Sequence, residues 1–150
     1  MRYRQYKFKF YLNASHAIYI NGNMGEKHPH TWEICMNVLK IQDGFIAFNK
    51  LEQLIEDFID QYQNQFINEV KPFDTLNPTL ENCCYYFMKQ LSEILNTQGW
   101  ILLTIEMSET PTRSYVINLL DESSTEQKQM LEVKANELLE KVKQNIKRDE

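Results

Sequence analysis

The sequence predicts an α+β fold: a four-stranded antiparallel sheet with two helices on one face, plus an extra C-terminal helix. Three observations predict it. Residues 6–14 and 30–38 alternate apolar and polar side chains, the period of a half-buried strand. Residues 48–62 and 80–95 repeat apolar side chains at helical spacing. The resulting order of strand, strand, helix, helix, strand, strand, with long connections, excludes a doubly wound parallel sheet.

In the first strand Tyr6, Phe8, Phe10, Leu12 and Ala14 share one parity, and Gln5, Lys7, Lys9 and Asn13 share the other. His16 follows on the apolar parity. Asn21-Gly22-Asn23-Met24-Gly25 reads as a turn-rich loop. The second strand runs from about residue 30 to residue 41. His30, Trp32, Ile34, Met36 and Val38 lie on one face, Thr31, Glu33, Cys35 and Asn37 on the other, and Asp43-Gly44 turns the chain.

The first helix carries Phe48, Leu51, Leu54, Ile55, Phe58 and Tyr62, with Asn49 as its expected cap. The second is expected to begin near Asn77-Pro78-Thr79, where Asn or Thr suits the cap and Pro the first turn. It would bury Leu80, Cys83, Cys84, Phe87, Met88, Leu91, Ile94 and Leu95. Residues 100–107 read as a buried strand, Pro111-Thr112 as a turn, and residues 114–120 as the partner strand. Ser123-x-x-Glu126 is a capping-box signature, followed by a stripe of Leu131, Ala135, Leu138, Val142 and Ile146. The expected division is a domain over residues 1–121 and an amphipathic helix over 122–150, packed on its own subunit or on a partner chain.

A chain of 150 residues suits one domain with a real core. Its net charge of -5, with no long run of one sign, argues against nucleic acid or a membrane surface as partner. Cys35, Cys83 and Cys84 are odd in number and form no CxxC, so neither a disulfide framework nor a cysteine zinc cage is indicated. With no signal-peptide pattern and no long apolar span, the expected location is cytoplasmic.

The chemistry concentrates in the histidines. All three lie between positions 16 and 30. His28 and His30 are two apart and point to the same side of a strand. His16 ends the preceding antiparallel strand on the core-facing parity. Three imidazoles meeting at one end of a hairpin suit zinc with an open fourth position. The alternative is three satisfied histidines at strand ends.

Several short motifs occur in one order: Ala14-Ser15-His16, His28-Pro29-His30, Gly44-Phe45-Ile46-Ala47-Phe48-x-x-Leu51, Asn77-Pro78-Thr79-Leu80-Glu81-Asn82, and Glu109-Thr110 followed by Tyr115. Together they resemble the 6-pyruvoyl- and 6-carboxy-tetrahydropterin synthase family over roughly residues 4–119. The resemblance implies the tunnelling fold, with zinc on His16, His28 and His30. It implies that Glu109, with Thr110 beside it, anchors a pterin ring through the ring's N–H and amino donors. It also implies a homo-oligomer, two stacked trimers forming a hexamer. Parity supports Glu109: it follows Ile101, Leu103, Ile105 and Met107 on one apolar face if no bulge intervenes.

The pattern also breaks. Family enzymes carry a cysteine four residues before the His-x-His pair; here that position is Met24, whose thioether bears no proton to exchange. Their Leu-Asp-His-x-x-Leu-Asn becomes Tyr62-Gln63-Asn64-Gln65-Phe66-Ile67-Asn68, so two titratable groups are amides. Pro29 replaces a glycine, and Ala47 an aspartate. Glu26, two residues before His28, is the candidate replacement base.

Three functions follow. The first is a zinc protein that binds a pterin or guanine-type ring with weak or no synthase activity. The second is an active lyase that uses Glu26. The third is a structural or regulatory subunit acting through its C-terminal helix.

Overall fold

The alternating stretches become strands β1 (Tyr6–His16) and β4 (His28–Lys40) of the computed structural model. It describes residues 4–41, 44–122 and 125–148, without the side chains of 121–131 and 145–148. Between the two strands the turn-rich loop forms a small hairpin of β2 (Tyr19–Ile20) and β3 (Asn23–Met24). The sequence offers only its turn as a signal: Asn21 and Gly22 both take positive φ, which asparagine and glycine tolerate best.

Helices α1 (Phe48–Asp60) and α2 (Leu80–Thr97) follow, then β5 (Trp100–Thr110), β6 (Arg113–Asn118), a short helix α3 (Leu119–Glu122) and α4 (Thr125–Arg148). The four long strands form one antiparallel sheet in the order β1-β4-β5-β6. β1 and β4 enclose the small hairpin; the two helices intervene before β5 returns beside β4.

One face of the sheet is the core. Phe8, Phe10 and Leu12 of β1 and Trp32, Ile34, Met36 and Val38 of β4 are buried there. Against them pack Leu51, Ile55 and Phe58 of α1 and Cys83, Phe87, Leu91 and Leu95 of α2. Both helices are buried along the stripe that their sequence periodicity marks.

The α2 start agrees with its motif. Thr79 is the cap, and its hydroxyl accepts from the Asn82 backbone N–H. The α1 start does not. Asn49 lies inside the helix, Ala47 holds the cap position, and no side chain caps it. Tyr62 lies past the end of α1, buried, with its hydroxyl donating to the Lys71 carbonyl.

The two ends of β5 are offset by bulges. Asn37 faces Thr104 while Val38 faces Leu102, which leaves Leu103 as an extra residue. Ser108 faces Ser114 while Thr110 faces Arg113, which leaves Glu109 extra. The single apolar face expected over 101–107 is therefore broken. Trp100 and Leu102 are in the core before the first bulge, Ile105 and Met107 after it, and Ile101 is only half-buried.

Residues 119–120, read from sequence as strand, belong to α3. In α4, Ala135 is buried and Leu138 and Val142 are half-buried, so part of the expected stripe packs. Ser123 of the capping box, and the Glu126, Leu131 and Ile146 side chains, lie outside the described residues, as does Asp43. No helix among the described residues is long and apolar enough to cross a membrane.

Candidate functional site

The β1–β4 register brings the three histidines together. His16 pairs directly across from His28, and Ala14 pairs across from His30. Their ring centroids lie 4.5 Å (His16–His28), 5.0 Å (His16–His30) and 4.7 Å (His28–His30) apart. One ligand-capable atom from each residue falls within 4.8 Å of the others. Beneath them, Trp32 packs edge-on to His16 and His30, with its indole N–H buried and unpartnered.

Two hydrogen bonds fix tautomers. His16 Nδ1 lies 2.8 Å from the Pro78 carbonyl oxygen, and His28 Nδ1 lies 2.9 Å from that of Glu26. A carbonyl can only accept, so each Nδ1 carries the proton and each neutral ring leaves Nε2 bare. Those bare nitrogens face each other at 2.9 Å. Two lone pairs at that separation repel unless a cation or a proton lies between them. Histidine ligands characteristically donate their second N–H to a carbonyl in this way. Burial lowers the His16 and His30 pKa values, opposed by Pro78 and Glu109 at His16 and by Glu109 at His30. Rings neutral near pH 7 are the form that coordinates zinc, so the donor set fits that metal.

Glu109 stands beside this cluster. As the extra residue of the second bulge, it is aimed inward, and its side chain is 10% exposed. Oε1 lies 4.0 Å from His16 Nε2, and Oε2 accepts from Arg113 Nη2 at 3.1 Å. The Thr110 hydroxyl lies 3.3 Å from that of Thr112. Glu26 is exposed, and its link to the site is its main-chain carbonyl on His28. An open cavity of about 460 Å³ adjoins His30, lined also by Asn13, Ser15, Pro29, Asn64 and Gln65.

The sequence matches the 6-pyruvoyl tetrahydropterin synthase family model over residues 5–119. The chain belongs to that family. Its fold agrees with solved structures of low sequence identity. The Caenorhabditis elegans 6-pyruvoyl tetrahydropterin synthase is 15% identical; the match covers 79% of this chain and 98% of that one, with a TM-score of 0.63. An uncharacterised protein, WS1659 of Wolinella succinogenes, is 12% identical, with 77% and 97% covered and a TM-score of 0.58. The Plasmodium vivax synthase, in a form described as a catalytic-residue mutant with glutamate replaced by alanine, is 18% identical, with 76% and 97% covered and a TM-score of 0.54. No curated protein sequence matches the chain significantly.

Within the 6-pyruvoyl tetrahydropterin synthase family, this chain's departures acquire structural roles. Gln63 stands where the resemblance expects an aspartate. Its Oε1 accepts from the Asn13 N–H at 2.9 Å and its Nε2 donates to the Tyr11 carbonyl at 2.7 Å. A carboxylate could make the first bond but not the second. Asn64, in place of the expected histidine, takes a positive φ of 59° and donates its backbone N–H to the Asn13 carbonyl. Asparagine tolerates that conformation far better than a bulky residue. Met24 lies half-exposed in the small hairpin.

Sequence reasoning did not foresee this clamp. Asn68 grips the Ala17 N–H and carbonyl at 2.9 and 2.8 Å, and Asn77 grips those of Tyr19 at 2.9 and 3.0 Å. With Gln63, three amides hold the main chain on both sides of His16. The Asn-Pro-Thr motif was the available signal: it supplies the Tyr19 clamp, the carbonyl on His16 and the α2 cap.

Proposed function

We propose that this chain binds zinc through His16, His28 and His30 and holds a pterin or guanine-type ring on Glu109, with Thr110 alongside, with weak or no synthase activity. The observation that carries the metal part is the pair of bare Nε2 atoms facing each other at 2.9 Å. Zinc there would supply a Lewis acid to a hydroxyl or carbonyl of the bound molecule. Glu109 would fix the ring by accepting from its N–H and amino groups, a charge-assisted pair that rejects rings lacking those donors.

The reading of weak or absent turnover rests on Gln63, Asn64 and Met24. None exchanges protons near neutral pH, and the two amide positions serve the β1 clamp. We read the protein as a cytoplasmic homo-oligomer, a hexamer by family resemblance, with no nucleic-acid or membrane partner. Cys35 and Cys83 are free thiols, as suits a reducing compartment.

A second reading, an active lyase with Glu26 as base, draws on the catalytic glutamate of the Plasmodium vivax relative and on the Glu26 contact with His28. The deciding assay incubates zinc-loaded protein with a dihydroneopterin-type triphosphate. The first reading expects no turnover above the Glu26→Gln variant, together with ring binding that Glu109→Gln abolishes. Turnover that Glu26→Gln removes would establish the second reading instead.

A further inference from the structure

Resting on the reading of Glu109 as ring anchor, we propose that Arg113 is a built-in competitor for that carboxylate. Its guanidinium occupies the place of the ring edge and leaves when a ring binds. The recognition edge of a pterin or of guanine is a ring N–H and an exocyclic amino group on one carbon, which is a cyclic guanidine. An arginine side chain presents the same donors on the same planar carbon centre. Arg113 Nη2 already donates to Glu109 Oε2 at 3.1 Å.

The geometry separates a fixed anchor from a loose competitor. The Glu109 side chain is 10% exposed and that of Arg113 is 65% exposed. The turn at 111–112 and the bulge at Glu109 set Arg113 across from Thr110, one position past the anchor. The other oxygen, Oε1, faces His16 Nε2 at 4.0 Å. A ring edge that engages both carboxylate oxygens therefore needs Oε2 released. The guanidinium can swing out without uncovering any core. While no ring is bound, Arg113 spares a largely buried carboxylate from standing unpaired.

An internal competitor lowers apparent affinity by the fraction of time the site is free. An ion pair whose guanidinium side is open to solvent sustains an occupancy worth about fivefold in affinity. The sign of the salt dependence is distinctive. Screening weakens the Arg113–Glu109 pair but hardly affects a neutral ring. Ring affinity should therefore rise with salt.

The test titrates guanine and a neutral pterin, by calorimetry, into the zinc-loaded 150-residue chain and its Arg113→Ala and Arg113→Gln variants. Melting curves check that each variant is folded, as the exposure of Arg113 leads one to expect. The expected result is about fivefold tighter binding in both variants. Affinity should rise with salt in the parent protein and stay flat in the variants. Binding that needs Glu109 but is unchanged or weakened in both arginine variants would overturn the competition and leave the ring anchor standing. No ring binding by any of the proteins would overturn the anchor, and this proposal with it.

Discussion

His16 Nε2 and His28 Nε2 face each other at 2.9 Å while a carbonyl holds the proton on the far side of each ring. A cation between them turns a repulsive contact into shared coordination. Purified protein should therefore carry stoichiometric zinc by elemental analysis. His28→Ala and His30→Ala should each lower metal content by at least about tenfold, since three ligands leave none to spare. Chelation should lower the melting temperature, and zinc should restore it. Full occupancy in His28→Ala would sink the shared site.

The metal-free protein should lose stability in acid. Burial holds the His16 and His30 pKa values below the ordinary 6.5. The unfolded chain takes up protons near that value, the folded sites only at lower pH. Between the two, the unfolded state binds more protons, so stability falls as pH drops below about 6.5 and is fully present above it. Urea midpoints measured downward from pH 8 should show this slope. His16→Gln should flatten it, and an unchanged slope would assign the effect to other groups.

Gln63→Glu should be more damaging than Gln63→Ala. The new carboxylate would point an acceptor at the Tyr11 carbonyl, where the amide now donates at 2.7 Å. Leaving that acceptor facing another acceptor costs roughly 1–3 kcal/mol, while truncation admits water to the half-buried site. Chemical denaturation decides the order. Acid that protonates the carboxylate should narrow the gap.

Asn68→Leu removes both side-chain bonds to buried Ala17. An N–H and a carbonyl lose their partners together, a loss of roughly 2–4 kcal/mol. The clamp adjoins His16, so metal affinity should fall as well. Competition with a coloured chelator would measure it. Lost stability with unchanged metal affinity would separate the clamp from the site.

Much of this was legible in the chain. The parity of residues 6–14 and 30–38 placed His16, His28 and His30 on one face at one end of a hairpin, and strand pairing alone brings them together. The α1 and α2 stripes were equally plain, because helical periodicity survives any small error in a boundary. The bulges at Leu103 and Glu109 were not legible. A bulge adds one residue without changing composition, and parity counted through it assigns Ile101 to the wrong face. Arg113 was missed for a related reason: its meeting with Glu109 depends on that offset. In the sequence Gln63 stands out only as the loss of an aspartate. Its grip on β1 spans fifty positions, a contact that no local pattern reports.

The amides of Gln63, Asn68 and Asn77 take hold of peptide groups, never of the side chains attached to them. At the exposed positions Tyr11, Asn13 and Tyr19, a change of residue type leaves the grip on the backbone intact, proline excepted. Those exposed positions around His16 are thus free to drift in sequence, and to acquire new surface chemistry at the mouth of the site, while the position of the imidazole stays fixed.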